Sequence, residues 1–256
     1  MATTSKTLDA ARIVSLPNDA FYIPNFITED EEQHLLRKIS TAPLPRWTQL
    51  THRRLQTWPS SLTKTNTLLA APLPPWLTTP IIEPKFSTLG IFADAPHSAP
   101  NHVLINEYQP GQGIMPHEDG PAYHPLVATV SLGAPIILDI YDKESKGQHG
   151  EESKCEMDLD PSGKRDRTPR FRILQEPRSL LVTRGQMYTE FLHGIAEKVM
   201  DEDLGPSTVC NWELLGERDT FWGGFYERST RTSLTFRDVM KVAKMGNSLK
   251  FLGGSK

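Results

Sequence analysis

NHVLINEYQPGQGIMPHEDGPAYHP, residues 101–125, combines a strand pattern with a candidate pair of metal ligands. Residues 102–108 are rich in Val, Ile and Tyr, and the run breaks at a Pro-Gly pair. His117 and Asp119 follow, separated by one residue. In an extended segment, residues two apart point to the same side, so these two side chains offer an imidazole and a carboxylate to one ion, while Glu118 points away.

A third ligand must come from a distant part of the chain, and His193 in EFLHGI, residues 190–195, is the candidate. Two His and one carboxylate leave coordination positions open, which lets Fe(II) bind a co-substrate and O₂ together. Zinc accepts the same ligand types, and His-x-Asp arises readily by chance in a chain with 8 His. The three residues alone therefore leave iron, zinc and coincidence open.

RTSLTFR, residues 231–237, predicts a strand with one polar face. That face carries Arg231, Ser233, Thr235 and Arg237, and the other carries Thr232, Leu234 and Phe236. The two arginines are roughly 20 Å apart along a strand, so their long side chains can reach the two ends of one short dicarboxylate. The alternative is that both are solvated charges on an edge strand.

Asn106 and Tyr108 form a similar pair two residues apart, ahead of the His-x-Asp segment. They offer an amide and a phenol to the same ligand. The complete order of Asn-x-Tyr, His-x-Asp, a remote His and the spaced arginine pair is much harder to obtain by chance than any one part of it. The order therefore favours a dicarboxylate site beside the metal.

The remaining pattern predicts one mainly β domain with flanking helices. The chain has 256 residues with 21 Pro and 17 Gly, which indicates many turns and short elements. Thr28 and Glu31 form a capping-box pattern ahead of a short helix over 33–39. Further strand-like runs lie at 127–132, 136–141, 179–183 and 232–236. Their spacing is typical of a sandwich or barrel.

Charge is unevenly distributed, although the net charge of -3 gives no overall attraction for polyanions. Residues 33–82 contain no Asp or Glu but carry six Lys or Arg residues interleaved with three Trp. Residues 143–170 are densely charged and nearly free of large apolar residues, which predicts a disordered insertion. Cys155 and Cys210 form neither a disulfide framework nor a zinc motif, so we expect free thiols in a reducing compartment.

These motifs together resemble the AlkB-like family of Fe(II)/2-oxoglutarate dioxygenases, most closely its AlkB homologue 6 branch. The resemblance spans 21–242 and is densest over 101–125, 131–142, 176–182 and 231–237. It implies a double-stranded β-helix, the cupin-like jelly roll, with Fe(II) held by His117, Asp119 and His193. It also implies that 2-oxoglutarate and O₂ are consumed.

The resemblance further implies which residues hold 2-oxoglutarate. Arg231, with Ser233 and Tyr108, would meet the carboxylate far from the keto group. Arg237, with Asn106, would meet the carboxylate beside the keto group. The implied organisation is a flexible leader over 1–20, an N-terminal extension with a substrate-recognition lid over 21–100, a dioxygenase core over 101–245 and a flexible tail over 246–256.

The implied reaction is demethylation of N-methylated nucleic acid, RNA being slightly favoured over DNA, with succinate, CO₂ and formaldehyde as products. The expected substrate contacts combine cations for phosphate with aromatic rings for base stacking: Trp47, Arg53, Arg54, Trp58 and Tyr123. The tryptophans can equally be core residues. Pro121 occupies a position where bacterial AlkB has an acidic residue near the base, which puts that route of base recognition in doubt.

Two other functions stay open at the level of sequence. The chain can be a nucleic-acid-binding protein with slow or vestigial dioxygenase activity, or a protein hydroxylase. We expect the protein in the cytoplasm and nucleus, because the sequence shows neither a signal-peptide core nor a membrane-length apolar run. We also expect a monomer.

Overall fold

The structure of the chain is a computed structural model that describes residues 8–17, 19–143 and 168–243. The insertion predicted over 143–170 therefore lies almost entirely outside the described residues, and the tail predicted over 246–256 lies wholly outside them. Cys155 is also outside them.

The strands are numbered in chain order. They are β1 (Ala20–Ile23), β2 (Thr48–Leu50), β3 (Arg53–Trp58), β4 (Leu68–Leu69), β5 (His102–Tyr108), β6 (Ile114–His117), β7 (Leu126–Leu132), β8 (Ile136–Asp142), β9 (Phe171–Gln175), β10 (Leu180–Arg184), β11 (Phe191–Ile195), β12 (Met200–Glu202), β13 (Phe225–Glu227), β14 (Arg231–Arg237) and β15 (Val242–Ala243).

The helices are α1 (Glu29–Ser40), α2 (Pro75–Leu77), α3 (Ser87–Leu89) and α4 (Gln186–Thr189), with a π-type segment at Thr78–Phe86. Short 3₁₀ turns lie at Leu8–Ala11, Leu44–Arg46, Trp212–Leu214 and Arg218–Phe221.

Helix α1 begins where the capping-box pattern predicts. The Thr28 side chain accepts a hydrogen bond from the Glu31 amide, and the Glu31 carboxylate accepts one from the Thr28 amide at 2.8 Å. Two of the amides that a helix start leaves unpaired are thereby satisfied. Leu35 and Ile39 are buried on the face that packs against the large sheet. The predicted helix is confirmed.

Two antiparallel sheets form the body of the protein. The large sheet has the order β1-β10-β7-β14-β5-β3-β2, and the small sheet has the order β6-β11-β8-β9. This is the predicted mainly β jelly roll. The five predicted strands correspond to β5, β7, β8, β10 and β14, each within one residue at either end.

The large sheet separates a hydrophobic core from a polar cavity. On β14, Leu234 and Phe236 join the core cluster that α1 and the segments after it cover. Arg231 and Arg237 point to the other face and line the cavity. All seven residues of β14 are buried, because the strand lies between β7 and β5. The alternative of solvated arginines on an edge strand is therefore wrong.

The N-terminal part of the chain contributes directly to the large sheet. β1 forms one edge, and β2 and β3 form the other, where β3 pairs with β5. Residues assigned to an N-terminal extension thus share one sheet with the core. Ile13 and Leu16, in the predicted leader, are 1% and 5% exposed, so this part of the leader is packed against the domain. Among the described residues, none of the helices combines the length and apolarity that crossing a bilayer requires.

Phe236→Ala is expected to lower the free energy of unfolding by about 3–5 kcal/mol, because it leaves a cavity in the core. Phe236 is fully buried, and its ring meets Phe86 edge-on at 5.1 Å. Phe225, which is 53% exposed, is the matched control, and Phe225→Ala should cost no more than about 0.5 kcal/mol. Urea unfolding followed by circular dichroism measures both. Equal losses would contradict this description of the core.

Candidate active site

Two histidines face each other across the small sheet. His117 on β6 and His193 on β11 are direct partners in the antiparallel pair, and their ring centroids lie 4.4 Å apart. Gly194 permits this approach, because a Cβ atom there would lie 3.0 Å from the Ile114 carbonyl oxygen and from the Pro116 nitrogen. The absence of a side chain at Gly194 lets β6 lie close against β11.

Asp119 completes the group from outside the strand. β6 ends at His117, so Asp119 lies in the loop after the strand. Its position beside His117 therefore does not come from the alternation of side chains along a strand. Gly120 follows in this loop with a φ of 86°, and the Tyr188 hydroxyl donates to the Gly120 carbonyl oxygen at 2.7 Å. Glu118 does not simply point away, because it also borders the cavity and pairs with Lys143.

The three side chains form a donor set that fits a divalent metal. One ligand atom from each of His117, Asp119 and His193 lies within 4.8 Å of the others. The His117 Nδ1 donates to the Met115 carbonyl oxygen at 2.9 Å, so Nε2 is the ring nitrogen that remains for a metal. Loss of hydration lowers the pKa of His193 to about 4, against the opposing effect of Asp119, so the His193 ring is neutral at pH 7. Neutral imidazole is the form that binds metals.

The same cavity, of about 280 Å³, contains all five residues predicted to bind the co-substrate. These five residues are Asn106, Tyr108, Arg231, Ser233 and Arg237. The three candidate metal ligands line the same cavity. Asn106 and Ser233 are direct partners across β5 and β14, as are Tyr108 and Arg231. The antiparallel register therefore brings together pairs that are far apart in sequence.

Arg231 is a buried cation with neutral hydrogen-bond partners. It is 3% exposed, and it donates from Nε to the Ser131 hydroxyl at 3.0 Å and from Nη2 to the Gln175 amide oxygen at 3.1 Å. Burial lowers its pKa to about 10, which still leaves it charged at pH 7. Within residues 8–17, 19–143 and 168–243 it has no ion-pair partner. A buried charge of this kind is costly unless an anion binds beside it, and a carboxylate of 2-oxoglutarate meets that need.

Arg237 lies at the metal end of the cavity. Its guanidinium pairs with Asp119, and the two side chains are 8% and 5% exposed. The Arg237 Nε is buried without a hydrogen-bond partner in the described part of the chain. An unpaired buried donor is uncommon in native structures and suits a ligand oxygen. The residues present thus fit both Fe(II) and a dicarboxylate.

Ser131 and Gln175 accept the hydrogen bonds of Arg231, and neither was predicted from the sequence. Ser131 is the second polar residue on the cavity face of β7, two positions after Thr129, and this alternation was the available signal. Gln175 ends β9, a short strand that the pattern did not predict.

The structure separates the five predicted substrate residues. Arg53 lines the cavity and donates from Nε to the Asn106 side-chain oxygen at 3.1 Å. Tyr123 does not line the cavity, but its ring lies 4.9 Å from the guanidinium of Arg237, which does. Arg54, Trp47 and Trp58 do not line the cavity.

Those three residues already have partners within the protein. Arg54 forms two hydrogen bonds with Glu107, at 2.7 and 2.9 Å, and lies 4.0 Å over the Trp47 ring. Trp58 packs edge-on against Trp76 at 5.5 Å. Their role in substrate binding stays a prediction, because none of the three lines the cavity.

Comparison with known proteins agrees with this geometry. The family model described as "2OG-Fe(II) oxygenase superfamily" matches residues 19–237. The chain is 40% identical over 228 residues to "Probable RNA/DNA demethylase ALKBH6" of Danio rerio, covering 89% of this chain and 88% of that protein. It is 26% identical over 224 residues to "Uncharacterized protein L905" of Acanthamoeba polyphaga mimivirus, covering 86% and 84% of the two chains.

Among solved structures, that of OsALKBH1 has a similar fold. The TM-score is 0.50 at 15% sequence identity, with 87% of this chain and 99% of that chain covered. These findings confirm the resemblance to the AlkB-like family. The enzyme is a dioxygenase that requires Fe(II), 2-oxoglutarate and O₂. The chain belongs to the 2OG-Fe(II) oxygenase superfamily.

Proposed function

We propose that this chain removes N-methyl groups from nucleic acid by oxidation, and that it favours RNA slightly over DNA. The observation that carries the reaction type is the placement of the His117, Asp119 and His193 group and the buried cation Arg231 in one cavity. The substrate class is supported by the 40% identity to a protein named as a probable RNA/DNA demethylase.

Fe(II), when bound with 2-oxoglutarate and O₂, supplies the oxidising power for inserting one oxygen atom into a substrate C–H bond. The other oxygen atom enters the new carboxylate of succinate, and the bond between the keto carbon and its adjacent carboxylate breaks to release CO₂. An N-methyl group becomes an N-hydroxymethyl group. This group leaves as formaldehyde, and its hydroxyl proton ends on the nitrogen. The balance needs no further reductant.

The chain's own residues bind and orient the reactants. His117, Asp119 and His193 would hold the metal from one side. Arg231, with Ser233 and Tyr108, would fix one end of 2-oxoglutarate, and Arg237 with Asn106 would fix the other. Because the two sheets enclose these groups, their electrostatic interactions act with little competing water.

Tyr123 is the substrate candidate best placed for contact with a base. Its ring lies 4.9 Å from the Arg237 guanidinium and 5.8 Å from the His102 ring. Arg237 in turn pairs with Asp119, so the Tyr123 ring is close to the metal group. An aromatic ring this close to the metal group can stack on any of the bases when that base is extruded from its strand.

The decisive experiment incubates Fe(II)-loaded protein with 2-oxoglutarate, O₂ and single-stranded RNA and DNA oligonucleotides that each carry one N-methylated base. Formaldehyde is expected in equal amount to succinate, together with loss of the methyl group by mass spectrometry, and at a higher rate on RNA. Asp119→Ala is the inactive control.

Other outcomes identify the alternatives. Oligonucleotide binding that persists without formaldehyde from any substrate would contradict demethylation and favour a nucleic-acid-binding protein. The mass of one added oxygen on a bound protein would instead favour a protein hydroxylase.

A further inference from the structure

Arg53 and Arg231 flank Tyr108 from two neighbouring strands. In the large sheet, β5 lies between β3 and β14. Arg231 is the direct partner of Tyr108 on β14. On the other side Arg54 is opposite Glu107, so the antiparallel register places Arg53 opposite Tyr108. All three residues line the cavity. The sheet therefore carries a cross-strand row with a phenol between two arginines.

Neither arginine of this row forms an ion pair with an acidic side chain in residues 8–17, 19–143 and 168–243. Among the residues that the structure describes, Arg53 donates from Nε to Asn106 at 3.1 Å, and Arg231 donates to Ser131 and Gln175, all of which are neutral. The carboxylates that line the cavity have other partners, since Asp119 pairs with Arg237 and Glu118 with Lys143. Within the described part of the chain, the two positive charges next to Tyr108 therefore have no acidic partner.

We propose that Arg53 is a second cationic contact for the distal carboxylate of 2-oxoglutarate, beside Arg231, an inference that rests on the proposed co-substrate residues. A carboxylate has two oxygens and accepts hydrogen bonds from two guanidinium groups at once. The paired positive charge also offsets the cost of burying the carboxylate. Arg53 therefore belongs to the co-substrate site rather than to a phosphate-binding surface.

The contact has a consequence for the hairpin formed by β2 and β3. Arg53 is the first residue of β3, directly after the turn, and pairs with Leu50 of β2. A bound dicarboxylate that accepts hydrogen bonds from Arg53 holds this end of the hairpin against the cavity.

The test measures binding rather than turnover. Arg53→Gln is titrated calorimetrically, without O₂ and with Fe(II) bound, with 2-oxoglutarate and with 2-oxopentanoate, in which a methyl group replaces the distal carboxylate. Affinity for 2-oxoglutarate should fall about ten- to a hundredfold, because one charge-assisted contact is lost. Affinity for 2-oxopentanoate should change by less than about twofold, since sites without a shared contact act independently.

Arg54→Gln is the matched control, since Arg54 is the next residue on the strand, does not line the cavity and pairs with Glu107. It should leave both affinities unchanged. Arg53→Lys keeps the charge and should retain part of the preference for 2-oxoglutarate over 2-oxopentanoate. That variant also tests the proposal if Arg53→Gln does not fold, because a lost preference in folded Arg53→Lys would count against a charge contact.

Two results would overturn the inference. Equal losses for both ligands in Arg53→Gln would mean that Arg53 does not meet the distal carboxylate. Normal binding in Arg53→Gln, alongside lost binding in Arg231→Gln, would remove Arg53 from the site while leaving the proposed co-substrate residues intact. Normal binding in Arg231→Gln would show instead that the co-substrate site itself is misplaced.

Discussion

Arg231→Ala is expected to abolish 2-oxoglutarate turnover while leaving Fe(II) bound. The substitution removes the buried guanidinium that Ser131 and Gln175 hold in place. Two charge-assisted hydrogen bonds to a carboxylate contribute at least about 3 kcal/mol, so co-substrate affinity should fall more than about a hundredfold. Succinate formation and metal content, measured on the same sample, test both halves of the prediction.

Arg218→Ala is a suitable control for this variant. Arg218 is 44% exposed and pairs with Glu213, which is 78% exposed, so its loss should affect neither turnover nor metal content. Unchanged succinate formation in Arg231→Ala would refute the assignment of Arg231. Loss of iron in Arg231→Ala would instead show that metal binding depends on Arg231 and not on the His117, Asp119 and His193 group alone.

Asp119→Ala is expected to remove Fe(II) binding and all turnover, and also to destabilise the metal-free protein. Asp119 and Arg237 form a buried ion pair. Removing one partner of such a pair leaves an uncompensated charge, so the free energy of unfolding should fall by about 3–5 kcal/mol. Metal analysis and urea unfolding of the metal-free protein measure the two effects.

His193→Ala separates the two effects of Asp119→Ala. It removes a neutral imidazole and keeps the Arg237–Asp119 pair, so metal binding should be lost with a smaller loss of stability. If the metal-free Asp119→Ala and His193→Ala proteins had the same free energy of unfolding, the Arg237–Asp119 pair would not stabilise the fold as its burial indicates. Retention of stoichiometric iron in either variant would exclude the proposed ligand set.

Local patterns predicted the strands that are rich in Val, Ile, Leu, Thr and Tyr and bounded by Pro or Gly. The alternation on β14 indicates both its apolar and its polar face, and the capping box locates the start of α1. β9 and β11 escaped prediction because neither has a run of β-branched residues or a clear alternation of polar with apolar residues. The joining of β1 and β3 to the large sheet depends on pairing between distant segments, which local sequence patterns do not determine.

The site was predictable where spacing carries chemical meaning. His117, Asp119, His193 and the two arginines of β14 formed an order that coincidence does not readily produce. The roles of Arg53 and Arg54 could not be separated, because adjacent residues on a strand face opposite sides and only the register shows which side meets the cavity. Likewise, Arg54 on β3 pairs with Glu107 on the neighbouring strand β5, and no local sequence pattern predicts a contact between residues so far apart in the chain.

An anaerobic crystal structure of the protein with Fe(II) and 2-oxoglutarate would show directly whether the metal and the co-substrate share this cavity. We expect anomalous scattering from one iron within bonding distance of His117, Asp119 and His193. We also expect density for 2-oxoglutarate with its distal carboxylate on Arg231. Iron bound elsewhere, or a dicarboxylate that does not contact Arg231, would refute the proposed site.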